Sequence, residues 1–368
     1  TDVKKTERPY GVTVFENSPL NRVLQQGAPG KSWQPSPDRG AVLVSSDSGH
    51  TVVTEYGTNA ANSVRLWTVS SPNGATGSGY YGAGKLYKTV LKDENWVAAD
   101  NKAGTVEEYK DFDDRVVLKR VWESDSKSLD TYYAYDDFGD LRYVIPPGFT
   151  ATTITDTHVD VQELVYIYKY DGRRRLVEKK LPGKGWEWLV YNANDQVVLT
   201  QDAVQRSKTA KEWSYTKYDA FGRVTETGIY PNSTLSTRAL AQSAVDNHKV
   251  AGVAYYWEEW TGSTYSNRTY PIESSRKVQV TNYYDSYSFN PGSTLAASAG
   301  LGHITEAKTL LTGTKVTNVD DTDSRITVNY YDKRGRLLET VAQNHLGGID
   351  RVTNSYNFAG DLLTSKQQ

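Results

Sequence analysis

The stretch WSYTKYDAFGRVTETGIYP, Trp213–Pro231, decides how the chain is read. Side chains of contrasting character alternate up to Tyr218 and Asp219, Phe221 and Gly222 make a tight turn, Arg223 leaves it, and Val224 opens a second alternating run. Period-two alternation on both sides of a glycine turn marks a β-hairpin, because successive side chains of a strand point to opposite faces. The pattern recurs: Tyr135 precedes Leu141, Tyr170 precedes Leu176, Tyr191 precedes Val197, Tyr331 precedes Leu337 and Tyr356 precedes Leu362, always by the separation seen between Tyr218 and Val224. Asp136, Asp171 and Asp332 directly follow their tyrosines as Asp219 does, and Gly335 and Arg336 repeat the places of Gly222 and Arg223. A seventh copy, YKDFDDRVVLKRVW from Tyr109 to Trp122, has one extra residue between Tyr109 and Asp111, which predicts a β-bulge at the start of that hairpin.

Successive repeat tyrosines lie 26, 35, 21 and 27 residues apart through the first five copies and 25 apart in the last two, a period that means stacked supersecondary units. The composition agrees with an all-β reading. Tyrosine (27) and tryptophan (9) outnumber phenylalanine (7), as suits half-buried sheet faces where a ring packs and its polar end meets water. The formal net charge of -2 provides no field to attract nucleic acid or an anionic membrane. With no cysteine there is no disulfide or thiolate chemistry. With no methionine and no apolar run of membrane-spanning length, the 368 residues read as a processed or excised piece of something longer.

In chain order, residues 1–105 read as a turn-rich β region preceding the repeats, with strands expected at Val42–Val44, His50–Tyr56 and Val64–Val69, and a flexible glycine loop, NGATGSGYYGAG, at Asn73–Gly84. Residues 106–231 hold five clustered repeats, and Pro146, Pro147, Pro182 and Pro231 stand where return strands should stop. Residues 232–324 lose the motif and read as an elaborated insertion, with a short helix within Leu235–Asp246 and strands at VAYYWEEW and TNYYDSYSF. Residues 325–368 restore two copies.

The segments YDDFGDL, YDGRRRL, YDAFGRV and YDKRGRL resemble the YD repeat of the Rhs family. RPYGVTVFENSPLNRVLQQGAPGKSW and LYKTVLKDENW resemble the region before the repeats in very large bacterial Rhs-type proteins, notably ones secreted to the cell surface through a type 9 system, and LLTGTKV and NHLGGIDRV resemble later segments of them. The resemblance implies an extended, curved antiparallel sheet of YD hairpins that coils into part of a hollow shell around a variable C-terminal polypeptide, often a toxin. It implies a structural, non-enzymatic role at a secreted or cell-surface location. The partners would be the rest of a longer Rhs-type chain, its enclosed effector and secretion machinery, without nucleic acid or membrane insertion. The family's self-cleaving core segment has no counterpart here, so neither cleavage nor toxicity passes to any residue.

Other motifs carry less. GYYGAGK (Gly79–Lys85) begins like a phosphate-binding loop, but Leu86 replaces the required hydroxyl and a strand pattern follows where a helix is needed. NVDDTDS (Asn318–Ser324) gathers carboxylates without the glycine and distal glutamate of a calcium loop. The histidines at 50, 158, 248, 303 and 345 lack metal-ligand spacing, and the SxxK formed by Ser124 and Lys127 stands alone. No catalytic residue, metal or cofactor is therefore assigned. Arg173, Arg174 and Arg175 with Lys179, Lys180 and Lys184 read as a solvated rim. Trp186 and Trp188 share a strand face and give the alternative reading, a carbohydrate-binding or adhesive surface protein. For the repeat tyrosines the expectation is structural: the ring covers its own hairpin and the hydroxyl bonds across the turn.

Overall fold

The computed structural model describes residues 7–36, 48–70, 73–318 and 323–368, which fall in two compact units, Thr1–Gly185 and Trp186–Gln368. The expected strand at Val42–Val44 and most of NVDDTDS lie outside the described residues. The chain is all-β and antiparallel. In the first unit the strands Val12–Phe15, Val23–Gly27, Val52–Thr58, Tyr87–Lys92, Val106–Lys110, Val116–Ser124, Lys127–Tyr135, Leu141–Ile145, Tyr166–Tyr170 and Leu176–Leu181 form a meander, each pairing with the one before. A separate sheet joins Arg65–Val69, Ala75–Tyr80 and Thr153–Ile154. The second unit repeats the meander through Gly185–Tyr191, Val197–Gln201, Glu212–Tyr218, Val224–Pro231, Lys277–Ser286, Glu306–Thr317, Ser324–Tyr331, Leu337–Gln343, Ile349–Tyr356 and Leu362–Gln367. The α-helices of the described residues, Val159–Leu164, Ala203–Ser207 and Arg238–Asp246, are short, and the last lies where helical spacing predicted one.

The turn explains why these sequences make hairpins. In the copy around Tyr218, the Asp219 amide bonds the Arg223 carbonyl (2.9 Å) and the Gly222 amide bonds the Asp219 carbonyl (3.0 Å), with Gly222 at φ +77°. A turn ending in a left-handed residue matches the twist of the flanking strands. Where glycine is missing from that place, Asp114, Arg174 and Asp195 adopt φ +61°.

Every repeat hairpin also carries one extra residue on its return strand, just past the aliphatic position. Tyr218 pairs with Val224 while Lys217 pairs with Glu226, leaving Thr225 over, and Val177, Val198, Leu338 and Leu363 are left over likewise. Such a bulge increases the local right-handed twist.

One face of each sheet gains its core from segments inserted between or within hairpins. Leu86 and Val64, from the long connection between Val52–Thr58 and Tyr87–Lys92, pack with Tyr109, Val117 and Leu118. Helix Arg238–Asp246 sets Ala241 and Val245 against Val190, Leu199, Trp213, Tyr215 and Tyr230. Leu295 packs on Val328, Tyr330 and Val341. Burying such a side chain contributes about 1.5–3 kcal/mol, so the excursions act as covers that make a thin sheet stable.

Three expectations need correcting. Ala75–Tyr80, within the expected glycine loop, is a strand, and its glycines serve packing: a Cβ on Gly77 would stand 2.7 Å from Trp67 Cε2. Val253–Trp260 forms no regular strand, since its backbone makes only isolated bridges, such as Asp219 with Glu258 and Trp260 with Tyr265. The insertion at 232–324 is not one excursion, because Lys277–Ser286 and Glu306–Thr317 pair within the meander.

Candidate functional site

The chemistry of the repeat is concentrated where one hairpin meets the previous one. The aspartate is a clip within its own turn. Asp219 Oδ1 accepts from the amides of Phe221 and Arg223 (both 2.9 Å), and Oδ2 accepts from Arg223 Nε (2.6 Å). Asp111 holds the Asp113 and Arg115 amides and Arg115 Nε, Asp171 holds those of Arg173 and Arg175, and Asp332 those of Arg334 and Arg336. Burial alone would raise the carboxyls of Asp171 and Asp332, yet the bonds from Arg175 and Arg336 outweigh it and lower both. Asp136 binds the Phe138 and Asp140 amides; Asp140 stands in the arginine's place and pairs with Arg174 instead.

The tyrosine does something the sequence reading did not anticipate. Its hydroxyl does not bond across its own turn; it donates to the carbonyl of the aliphatic residue that opens the previous return strand. Tyr135 donates to Val116 (3.0 Å), Tyr170 to Leu141 (3.1 Å), Tyr218 to Val197 (2.8 Å), Tyr331 to Leu311 (2.8 Å) and Tyr356 to Leu337 (2.9 Å). Each phenol therefore stitches successive hairpins. Burial pushes the Tyr135, Tyr170, Tyr218 and Tyr331 phenols up, so they stay protonated donors. Tyr191 closes its hairpin against Val197, and its backbone is clasped by the Gln242 side chain, through Tyr191 N (3.2 Å) and Tyr191 O (2.8 Å).

Tyr109 is not in the tyrosine's place. Lys110 is, closing against Val116, while Tyr109 pairs with Leu118, points to the covered face and bonds Glu107 (2.8 Å). The bulge expected from an extra residue before Asp111 is absent; the register shift lies at Val117, as in the other copies.

Following the stitches exposes copies that spacing hid. Tyr284 donates to Val224 (2.9 Å) and pairs with Leu311, leaving Thr312 over, and after a further shift the strands pair on to Ser286 with Glu306, which makes Lys277–Thr317 a repeat hairpin that has been extended beyond the usual turn. Thr309 stands at φ +71°, and its amide bonds Asp285 Oδ1 (2.6 Å). Near the start, Phe15 closes against Val23 with Leu24 left over, and Glu16 holds Arg22 through both carboxylate oxygens (2.8 and 2.7 Å), so FENSPLNRV is a stretched copy with glutamate for aspartate. The Arg22 hydrogen bonds hold the Glu16 carboxyl down at about 2. Tyr56 in turn donates to Val23 (3.0 Å).

The remaining candidates are drawn into the scaffold. Arg174 reaches Asp140 (2.7 Å) and the Phe138 carbonyl (2.9 Å), Arg175 reaches Asp171, and Lys180 is buried, donating to Gln162 and Val161 carbonyls. Trp188 lies against Trp213, with Arg206 over its ring at 4.2 Å, so that face is already occupied. A buried ion pair, Lys217 with Glu258 (3.2 Å), fastens the excursion after helix Arg238–Asp246 to the sheet. Glu258 also accepts from Ser266 Oγ, the Arg268 amide, and the Thr269 amide and hydroxyl. Burial works against its charge, but Lys217 and these donors prevail and bring its carboxyl to about 2; burial lowers the Lys217 ammonium. Among the described residues no group of His, Asp and Glu could hold a metal ion, and no helix is long and apolar enough to cross a membrane.

Residues 1–43 match the family described as "Domain of unknown function (DUF6443)". A search of curated proteins gives no match. Among solved structures, the chain is similar over 98% of its length to the crystal structure of TcdB2-TccC3, at 13% identity and a TM-score of 0.42, spanning 16% of that chain. It is similar over 96% of its length to TcdB2-TccC3 without its hypervariable C-terminal region, at 12% identity and a TM-score of 0.41, again spanning 16% of that chain. A Tc holotoxin pore of Photorhabdus luminescens is matched over 97% of this chain and 22% of the other, at 9% identity and a TM-score of 0.30.

Proposed function

We propose that the chain is a structural segment of the wall of a secreted or surface-exposed bacterial Rhs-type protein, a shell that encloses or displays a C-terminal effector. The observation that carries this reading is the stitch. Tyr218 to Val197, Tyr284 to Val224, Tyr331 to Leu311 and Tyr356 to Leu337 form an unbroken series, so each hairpin is fixed to its predecessor by the same bond whatever its turn contains. A series of that kind propagates a sheet without limit of length, which is what a wall requires and a single binding or catalytic site does not. Continuous lateral pairing also protects strand edges that would otherwise recruit other chains. The repeat positions Tyr135, Asp136, Tyr170, Asp171, Tyr191, Tyr218, Asp219, Gly222, Arg223, Tyr331, Asp332, Gly335, Arg336 and Tyr356 are in this reading construction elements. Tyr109 and Asp111 serve the same hairpin series, Asp111 as turn clip and Tyr109 as core.

The test is protease protection. The longer protein that contains this chain is exposed to trypsin, with its C-terminal polypeptide expressed alone as the control. Survival of the C-terminal polypeptide within the longer protein, with release after denaturation, is the expected result; digestion at the rate of the free polypeptide defeats the proposal.

A further inference from the structure

Between the sheet and the excursion that carries Glu258, the second unit forms an open pocket of about 240 Å³. Its wall includes Lys217, Glu226, Glu258, Arg276, Tyr265 and Tyr283. An adjoining hollow of about 210 Å³ shares Glu258 and Tyr265 and is bordered by Trp260.

The charges lining the pocket cancel in pairs. Lys217 faces Glu258 at 3.2 Å and Arg276 faces Glu226 at 3.0 Å. Beside two pairs that already balance, an ionic ligand finds no unpaired charge to offset its own desolvation. Yet hydrogen-bonding capacity is left over. Glu226 Oε1 receives both the Tyr215 hydroxyl (2.8 Å) and Arg276 Nε (3.0 Å), while Oε2 receives nothing from the described residues. Lys217 Nζ commits two of its three protons, to Glu258 (3.2 Å) and Asn267 (2.7 Å). The Tyr283 hydroxyl has no protein partner among the described residues, although its ring is fixed by stacking on Phe289 at 4.3 Å. A purely apolar occupant would strand these groups.

What satisfies both conditions is a neutral molecule with hydroxyls on its rim and C–H groups on its faces. Tyr265 lies nearly parallel to Tyr283 (12°), with the Trp260 ring edge-on to both, so aromatic carbon of Tyr265 and Tyr283 lines the pocket beside the polar atoms. The volume equals that of about eight waters, the size of one sugar ring. We propose that this pocket binds a single residue of a neutral sugar, its hydroxyls bridging Glu226 Oε2, Lys217 Nζ and the Tyr283 phenol. The site is distinct from the Trp186 and Trp188 face, and it stands whether or not the sheet encloses an effector.

The test titrates the full chain with glucose, galactose, mannose and N-acetylglucosamine, with glucuronic acid and glucosamine as charged counterparts, by saturation-transfer NMR and calorimetry. At least one neutral sugar should bind saturably, with a Kd in the millimolar range. Tyr283→Phe, which keeps the ring stack, should weaken it about tenfold with unchanged melting, as the loss of one hydrogen bond to a ligand does. Glu226→Gln, which turns the free acceptor into a donor, should weaken it similarly, and Trp188→Phe should not. The proposal fails if no neutral sugar saturates, if a charged counterpart binds better, or if both pocket variants bind like the wild type.

Discussion

Replacing Tyr218 by phenylalanine separates the stitch from everything else the residue does. The ring stays, the turn clip made by Asp219 stays, and only the hydroxyl bond to the Val197 carbonyl (2.8 Å) is lost. A hydrogen bond of this kind contributes about 0.5–1.5 kcal/mol net, and more where the abandoned acceptor cannot be rehydrated. For a unit of this size 1 kcal/mol lowers Tm by about 2–4 °C. Tyr218→Ala empties the ring site as well and should cost about 3–5 kcal/mol. The location of the damage is more telling than its size. Hydrogen exchange should accelerate in Tyr218→Phe at the seam between strands Val197–Gln201 and Glu212–Tyr218, where Leu199 faces Tyr215 and Thr200 faces Ser214. The amides of Gly222 and Arg223, held by their own turn, should exchange as before. Unchanged exchange at the seam, or acceleration confined to the turn, refutes the stitch.

Other consequences are as concrete. Asp219→Asn should keep the turn N–H bonds, as the natural copies at Asn192 and Asn357 do, but lose the bond from Arg223 Nε, and should cost about 1–2 kcal/mol in chemical denaturation; Asp219→Ala, which loses both, should cost about 3 or more. Gly222→Ala puts a Cβ on a residue at φ +77° and should lower stability by about 1 kcal/mol or more, measured the same way. Stability should fall on acidification. Glu258, at about 2 in the fold, sits below its unfolded value near 4.3, so its contribution is fully present above about pH 5 and is lost as pH falls toward 2; Asp171 and Asp332 have the same sign. The Glu258 part amounts to about 3 kcal/mol, and urea midpoints from pH 7 to pH 3 should show a shallower slope in Glu258→Gln, which starts less stable because Lys217 is left buried without its partner. Lys217 has the same sign in a more alkaline window: burial lowers its pKa, so carrying the charge costs stability, and that cost is relieved as pH rises from the folded value to the unfolded one.

The parts of the fold that were legible in the sequence are those whose cause is local. A left-handed residue after a turn, an aspartate that holds amides two and four residues on, and alternation on both sides all act within a few positions, so fixed spacing reveals them. The hairpins at Tyr135, Tyr170, Tyr191, Tyr218, Tyr331 and Tyr356 pair as that spacing predicts. The stitch was invisible because its acceptor is a backbone carbonyl, which every residue has; nothing in the string distinguishes Val197 O from any other. The glycines of Ala75–Tyr80 misled for a related reason: they look like freedom locally, and only the ring of Trp67 lying against Gly77 shows that they make room.

The hidden copies follow from the same physics. The hairpin of Tyr284 and Leu311 keeps the tyrosine–aliphatic pair, the surplus residue and the stitch, but it runs on past them and its turn has grown to include Leu295, which packs on Tyr330 in the next strand. Once a tyrosine fixes the hairpin to its predecessor and a bulge sets its closing register, the turn itself no longer has to hold the strands together. It is then free to lengthen, provided the added segment gains burial by folding back on the sheet. The connection between Val52–Thr58 and Tyr87–Lys92 satisfies that condition with Val64 and Leu86, and Tyr56 again supplies the bond to the previous hairpin. The motif thus degenerates in sequence where its geometry is most secure, because tertiary burial replaces turn chemistry as the source of stability. The long insertions tolerated in the turns of these hairpins are a consequence of the stitch.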